Sequence, residues 1–222
     1  MARSWLGEHR ASSGRLFQRI REVRGLNYGD YAYVEAFPGA MFRFFPEPNV
    51  ARRAQVFEVW VRPVVPENAV MALKIALFEV GKLVDGGLSP EDFERTRAYL
   101  MKNVFLMTAT QDEQLGYALD SEWYGLPEYT AFLREKLRGL ALADVNAAIK
   151  KHLSARDLQV VMVTKDAKAL REALTARGPA AIRYDAPKPP EITEEDKVIG
   201  AMDLGLRPEA IRITPVEEVF AR

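Results

Sequence analysis

The sequence predicts an α+β fold, a two-layer sandwich with a mainly antiparallel sheet and helices on one face. Three observations carry that prediction. Strand-like segments joined by short links crowd the region before Arg62; helical periodicity takes over from Pro66; and one late apolar segment, Leu158 to Thr164, is followed directly by another helical stretch. Neighbouring strands with short connections pair antiparallel, and helices that follow as a block cover one face of the resulting sheet.

Each element has its own signal. From Gly14, Leu16, Ile20 and Val23 share one face of a helix that Gly25 stops. Asn27 to Phe37 is rich in aromatic and β-branched residues, with Tyr31, Tyr33 and Phe37 on one side of a strand. Pro38-Gly39 turns the chain, and Met41 to Phe45 and Gln55 to Arg62 are two further strands. Beyond Pro66, Ala69, Val70, Leu73, Leu77, Val80 and Val84 repeat at helical spacing until Gly86-Gly87. Ser89-Pro90-Glu91-Asp92 supplies a serine N-cap, a proline at the first helical position and acids in the first turn, opening a helix expected to reach about Gln111. Leu119 to Gly125 reads as a loop capping the helix layer. Helices are expected from Pro127 to about Leu137 and from Leu142 to Leu153, then a buried strand Leu158 to Thr164, then a helix to about Arg177. Residues 1–184 thus form the domain. The stiff Asp185-Ala-Pro-Lys-Pro-Pro190 connector leads into a tail, 185–222, whose scattered apolar residues Ile211, Ile213, Val216, Val219 and Phe220 predict that it lies on the body of the domain.

Composition narrows the function. The 222 residues include no cysteine and two histidines, His9 and His152, with Lys+Arg 31 balancing Asp+Glu 31. Disulfide scaffolds, zinc ribbons and thiol nucleophiles need cysteine, and a histidine-rich metal site needs more histidine. Neutral net charge gives no long-range attraction to nucleic acid, and no apolar run approaches the roughly 20 residues of a membrane helix. The opening Met-Ala-Arg-Ser-Trp carries no signal-peptide pattern and reads like the middle of a longer protein.

Two segments bear on chemistry. Trp5-Leu6-Gly7-Glu8-His9 holds the last two members of an H-x-x-E-H zinc motif, with tryptophan in place of the first histidine, so one ligand is missing. His152 is expected at the surface near a helix end. In the second segment, Arg15, Arg19, Arg21 and Arg24 fall within ten residues and lead into Gly-Leu-Asn-Tyr. The plain reading is a solvated basic face with ion pairs, for example through Glu22. The sharper one places Arg21 beside Tyr28 at a helix-to-strand junction, where a guanidinium and a phenol grip a peptide carbonyl and the phenol stabilises an oxyanion. An exposed strand edge nearby would accept an extended peptide.

The stretch Ser12-Ser13-Gly14-Arg15-Leu16-Phe17-Gln18-Arg19-Ile20-Arg21-Glu22-Val23-Arg24-Gly25-Leu26-Asn27-Tyr28 resembles the S-R-L-x-x-x-[LI]-R-E-x-x-G-L-x-Y segment of the pitrilysin/insulinase family of zinc metallopeptidases, mitochondrial processing peptidase type. The element order to about Leu174, including Gly87 to Arg97, resembles the second α/β domain of a half-molecule in that family. The resemblance implies that Arg21 and Tyr28 are the catalytic and substrate-binding pair set opposite the metal. It also implies that this chain holds no cofactor, that zinc sits on a homologous half (an upstream domain or a separate subunit), and that peptide is the other partner. Against the family pattern, the first strand and helix are missing, and Gly14 stands where serine is usual, a departure expected to matter little. A domain of this kind is not active alone. From a different class, the same features fit a scaffolding or binding subunit that kept the fold without peptidase activity.

Overall fold

The computed structural model describes residues 1–8, 11–34, 48–49 and 56–219. These form a mixed α+β structure. In chain order the regular elements are α1 (Ala2–Leu6), a π-helix (Phe17–Glu22), β1 (Asn27–Tyr33), β2 (Glu58–Val64), α2 (Ala69–Gly86), α3 (Pro90–Asn103), α4 (Gln111–Tyr124), α5 (Tyr129–Gly139), α6 (Leu142–His152), α7 (Ala167–Thr175), α8 (Pro190–Gly200) and the short α9 (Val216–Val219). Short 3-10 turns at Pro66–Asn68 and Pro208–Ala210 precede α2 and α9.

β1 and β2 pair antiparallel, with Asn27 opposite Val64 and Tyr33 opposite Glu58. Both faces of the later part of β1 are covered: Asp30, Tyr31, Ala32 and Tyr33 are all buried. The chain at Gly7 runs along its other edge, where the Ala32 N–H donates to the Gly7 carbonyl at 2.8 Å. The expected strand Met41 to Phe45 and Phe37, the end of the expected first strand, lie outside the described residues.

The central support is α2. Its buried stripe contains Met71, Ile75, Glu79 and Leu83, each four residues from the last, flanked by Ala72, Ala76 and Val80. Leu16 and Ile20 of the N-terminal segment, Leu26 after the glycine turn, and Val145 and Ile149 of α6 join the same core. Each fully buried aliphatic side chain contributes about 1.5–3 kcal/mol through removal from water. The helix ends where Gly87 takes a φ of 69°, a conformation that favours glycine. The Asn146 side chain of α6 then clamps the turn, accepting from the Leu88 N–H at 2.8 Å and donating to the Leu88 carbonyl at 3.1 Å.

Local capping explains the helices that follow. Ser89 accepts from the Asp92 N–H at 3.1 Å, with Pro90 at the first position, as the sequence predicts. That helix stops at Asn103 and does not run to Gln111. A new one begins at Thr110, whose hydroxyl accepts from the Glu113 N–H while the Glu113 carboxylate accepts from the Thr110 N–H. The stretch Leu119 to Gly125 is therefore the end of α4, stopped by Gly125 in the left-handed region, and not a loop. Its buried side presents Gly116, Tyr117 and Ser121, and Tyr117 stacks on Tyr129 of α5 at a centroid separation of 4.0 Å.

The largest departure concerns Leu158 to Thr164. This apolar stretch forms no strand and is not buried; Val161 and Val163 are exposed, Val163 at 98%. Among the described residues its backbone finds no ladder partner, so apolar composition alone did not secure burial. After the Pro-rich connector, α8 packs on α2, and its Ile199 joins the core that α2 supports. Buried Lys74 of α2 donates to the Gly200 carbonyl at 2.6 Å, satisfying the helix end. Farther on, Val216 and Val219 are exposed, while the Pro208–Ala210 turn contacts α7.

Candidate functional site

The basic segment Arg15–Arg24 is neither an ordinary α-helix nor a solvated face. From Phe17 to Glu22 the backbone is π-helical, and the Val23 N–H donates five residues back to the Gln18 carbonyl at 3.0 Å. Such wide turns are rare and recur at functional sites. Gly25, with φ of 70°, reverses the chain, and Leu26 plugs the core so that Asn27 enters β1 immediately. This short junction brings positions 21 and 28 together.

Arg21 Nη1 donates to the Tyr28 carbonyl at 3.1 Å. Its guanidinium carbon lies 4.6 Å from the Tyr28 ring centroid and 4.8 Å from that of Phe17, so the cation contacts two aromatic rings. Each such contact is worth about 0.5–1 kcal/mol at a partly exposed site, and together they fix the plane of the guanidinium. The Tyr28 side chain is displayed at the surface, 71% exposed, while Glu22 reaches Arg21 only at 3.9 Å. The phenol of Tyr28 thus lies at the surface beside the Arg21 guanidinium.

Two residues that sequence reasoning passed over belong to this constellation. Phe17 stood in the quoted stretch, four residues before Arg21, and its signal was that spacing. Asp30 follows Tyr28 by two positions in β1 and is only 1% exposed. The Asn27 amide donates to one of its oxygens, and the other has no hydrogen bond. Burial pushes the Asp30 carboxyl up to about 7, against the opposing pull of the Asn27 hydrogen bond and the Arg21 charge.

No family model matches this chain, and no curated protein matches it. Among solved structures, the chain is similar to the crystal structure of a peptidase M16 inactive domain from Pseudomonas fluorescens, at 21% identity and a TM-score of 0.47. The match covers 65% of this chain and 31% of that one, so the chain corresponds to less than a third of that protein's length.

The remaining basic residues are bound into the interior. Glu79, at the centre of the α2 stripe, accepts from Arg15 Nε at 2.7 Å and from Arg19 Nε at 3.0 Å. Arg24, whose side chain is 0% exposed, donates to Asp196 and Glu195 of α8, each at 2.7 Å. Arg19 also reaches Glu195, and the Tyr184 hydroxyl donates to Asp196 at 2.5 Å. Burial, with the Asp196 charge and hydrogen bond, raises the Tyr184 phenol well above its ordinary range. The partners of these arginines come from α2 and α8, far along the chain, and not from Glu22.

The glutamate of the incomplete H-x-x-E-H pattern has a structural role. Glu8 is buried, accepting from the Ser4 hydroxyl at 2.7 Å and the Tyr99 hydroxyl at 3.0 Å, beside Arg3. His9 lies outside the described residues, and His152 is exposed at the end of α6. Among the described residues, no group of three or more His, Asp or Glu side chains is arranged to hold a metal ion. No helix among them is long and apolar enough to cross a membrane.

Proposed function

We propose that this chain is the zinc-free, substrate-binding domain of an insulinase-like metallopeptidase, in which Arg21 and Tyr28 hold an extended peptide. The observation that carries the reading is the pair itself: a guanidinium held between the Tyr28 and Phe17 rings, 4.6 Å and 4.8 Å from their centroids, beside an exposed phenol. The sequence resemblance of Ser12 to Tyr28 supports it, since the two residues meeting in space are the two the family motif singles out. Arg21 would donate to a backbone carbonyl of the peptide, and the Tyr28 hydroxyl would donate to the carbonyl oxygen as negative charge develops on it.

Zinc would reside on a homologous half, as an upstream domain or a partner subunit, and would supply the activated water; among the described residues no such site is formed. The test uses the native complex or full-length parent, with zinc content and peptide hydrolysis measured for wild type, Arg21→Ala and Tyr28→Phe. Zinc at one ion per zinc-bearing half, with turnover lowered about 10²-fold or more by each substitution, is the expected result. Full activity in both variants removes the assignment. A complex free of zinc and without hydrolysis makes the chain a scaffolding subunit that kept the fold.

A further inference from the structure

We propose that the segment from Lys188 to Asp196 is the positioning element of the Arg21–Tyr28 pair, so that the Pro-rich connector and α8 govern peptide binding from behind the site. The inference rests on the reading of that pair as a peptide site, but its structural part stands independently.

The argument is an accounting of carbonyls at the end of the π-helix, where helical backbone acceptors lose their usual partners. Gln18 accepts from Val23 N–H, Ile20 from Leu26 N–H and Arg21 from Gly25 N–H, all within the local turn. Two others depend on side chains. Arg24 Nη1 donates to the Arg19 carbonyl at 2.8 Å, the acceptor that the next rung of a π-ladder would use. Lys188 Nζ donates to the Val23 carbonyl at 2.8 Å.

Both supports lead to the same region. Lys188 belongs to the connector, and Arg24 is aimed by Glu195 and Asp196, which hold its Nη2 and Nε while Nη1 reaches back to Arg19. Arg24 is planar, so fixing two of its nitrogens fixes the third. The turn that these contacts lock is the turn bearing Phe17 and Arg21, and Gly25 passes its position directly to Tyr28. Glu195 also takes Arg19 and, at 3.3 Å, Lys82, so the acidic pair is anchored to α2 as well. The segment therefore positions Arg21 without touching it.

The test reads the Arg21 Nε–H resonance of the full chain by NMR, which stacking beside two rings shifts away from that of a free arginine. It also measures the dissociation constant for an extended, unstructured peptide. In Glu195→Gln/Asp196→Asn, the resonance should move to the free-arginine position and peptide affinity should fall about tenfold. Tyr184→Phe, which leaves the Arg24 contacts in place, should change neither. A folded double variant whose Arg21 resonance stays ring-shifted overturns the proposal. Should the double variant fail to fold, Lys188→Met removes the Val23 contact without stranding a buried charge and is read by the same criterion. If the resonance moves as expected but wild type binds no peptide, positioning stands and the peptide assignment fails.

Discussion

Gly14 packs backbone to backbone against Gly7: a Cβ built on Gly14 would lie 2.5 Å from the Gly7 Cα and within 3.3 Å of the Leu6 carbonyl oxygen. Gly7 itself has a φ of 141°. The loop before the π-helix is thus seated on the end of α1, and Gly14 leaves no room for the serine that the family resemblance would place there. That departure matters sterically, contrary to the expectation from sequence. Gly14→Ser should destabilise the chain by about 2–4 kcal/mol, because backbone and not a flexible side chain must yield. Urea unfolding checks this, and an unchanged midpoint would show that the contact is not close in solution.

Glu79 is a charge placed on an apolar stripe, held there by Arg15 and Arg19. Neutralising it leaves two guanidinium groups facing a poorer acceptor near the core. Glu79→Gln should cost about 2–4 kcal/mol. Comparing urea midpoints at low and high salt tests the assignment, since a buried pair is screened little.

Asp30 gives stability a defined pH dependence. Burial pushes its carboxyl up to about 7 in the folded chain, from an ordinary value of 3.8. Below the lower value both states are protonated and the site costs nothing. As pH rises through the window between them, the unfolded chain ionises first and the folded state loses stability; above about 7 the full penalty remains. Asp30→Asn should remove this slope and stabilise the protein at pH 8 by about 2–4 kcal/mol. Melting temperatures of both proteins at pH 5 and pH 8 decide it; parallel profiles would exclude a raised carboxyl.

Phe17 supplies one of the two rings against Arg21. Phe17→Leu keeps apolar bulk but removes the ring, and peptide affinity should fall about three- to tenfold, whereas Phe17→Tyr should retain it. Titration calorimetry distinguishes the two. Equal affinity in Phe17→Leu would mean that Tyr28 alone orients the guanidinium.

What could be read from the chain divides by the range of the interaction involved. The start at Ser89-Pro90 and the stop at Gly25 are local events, set by one hydroxyl or one φ, and both are visible in a few letters. The capping box at Thr110 was equally local, but the helix behind it turns Leu115, Leu119 and Trp123 to solvent and hides Gly116, Tyr117 and Ser121, so hydrophobic periodicity pointed elsewhere. The meeting of Arg21 and Tyr28 was legible because only a glycine turn separates helix from strand. The fates of Arg19 and Arg24 were not, since their partners lie on α2 and α8, roughly 60 to 170 positions away. Leu158 to Thr164 failed for a related reason: burial of an apolar segment requires a neighbour, and composition names none.

That last segment sets how the protein will behave in the tube. A valine-rich stretch whose amide and carbonyl groups find no ladder partner among the described residues is a template on which another extended chain can deposit, and it has no proline or charge to blunt it. Concentrated samples should self-associate through it, and lysine or glutamate at positions 161 and 163 should act as gatekeepers, raising the concentration at which the protein remains dispersed while leaving the Arg21–Tyr28 clamp intact.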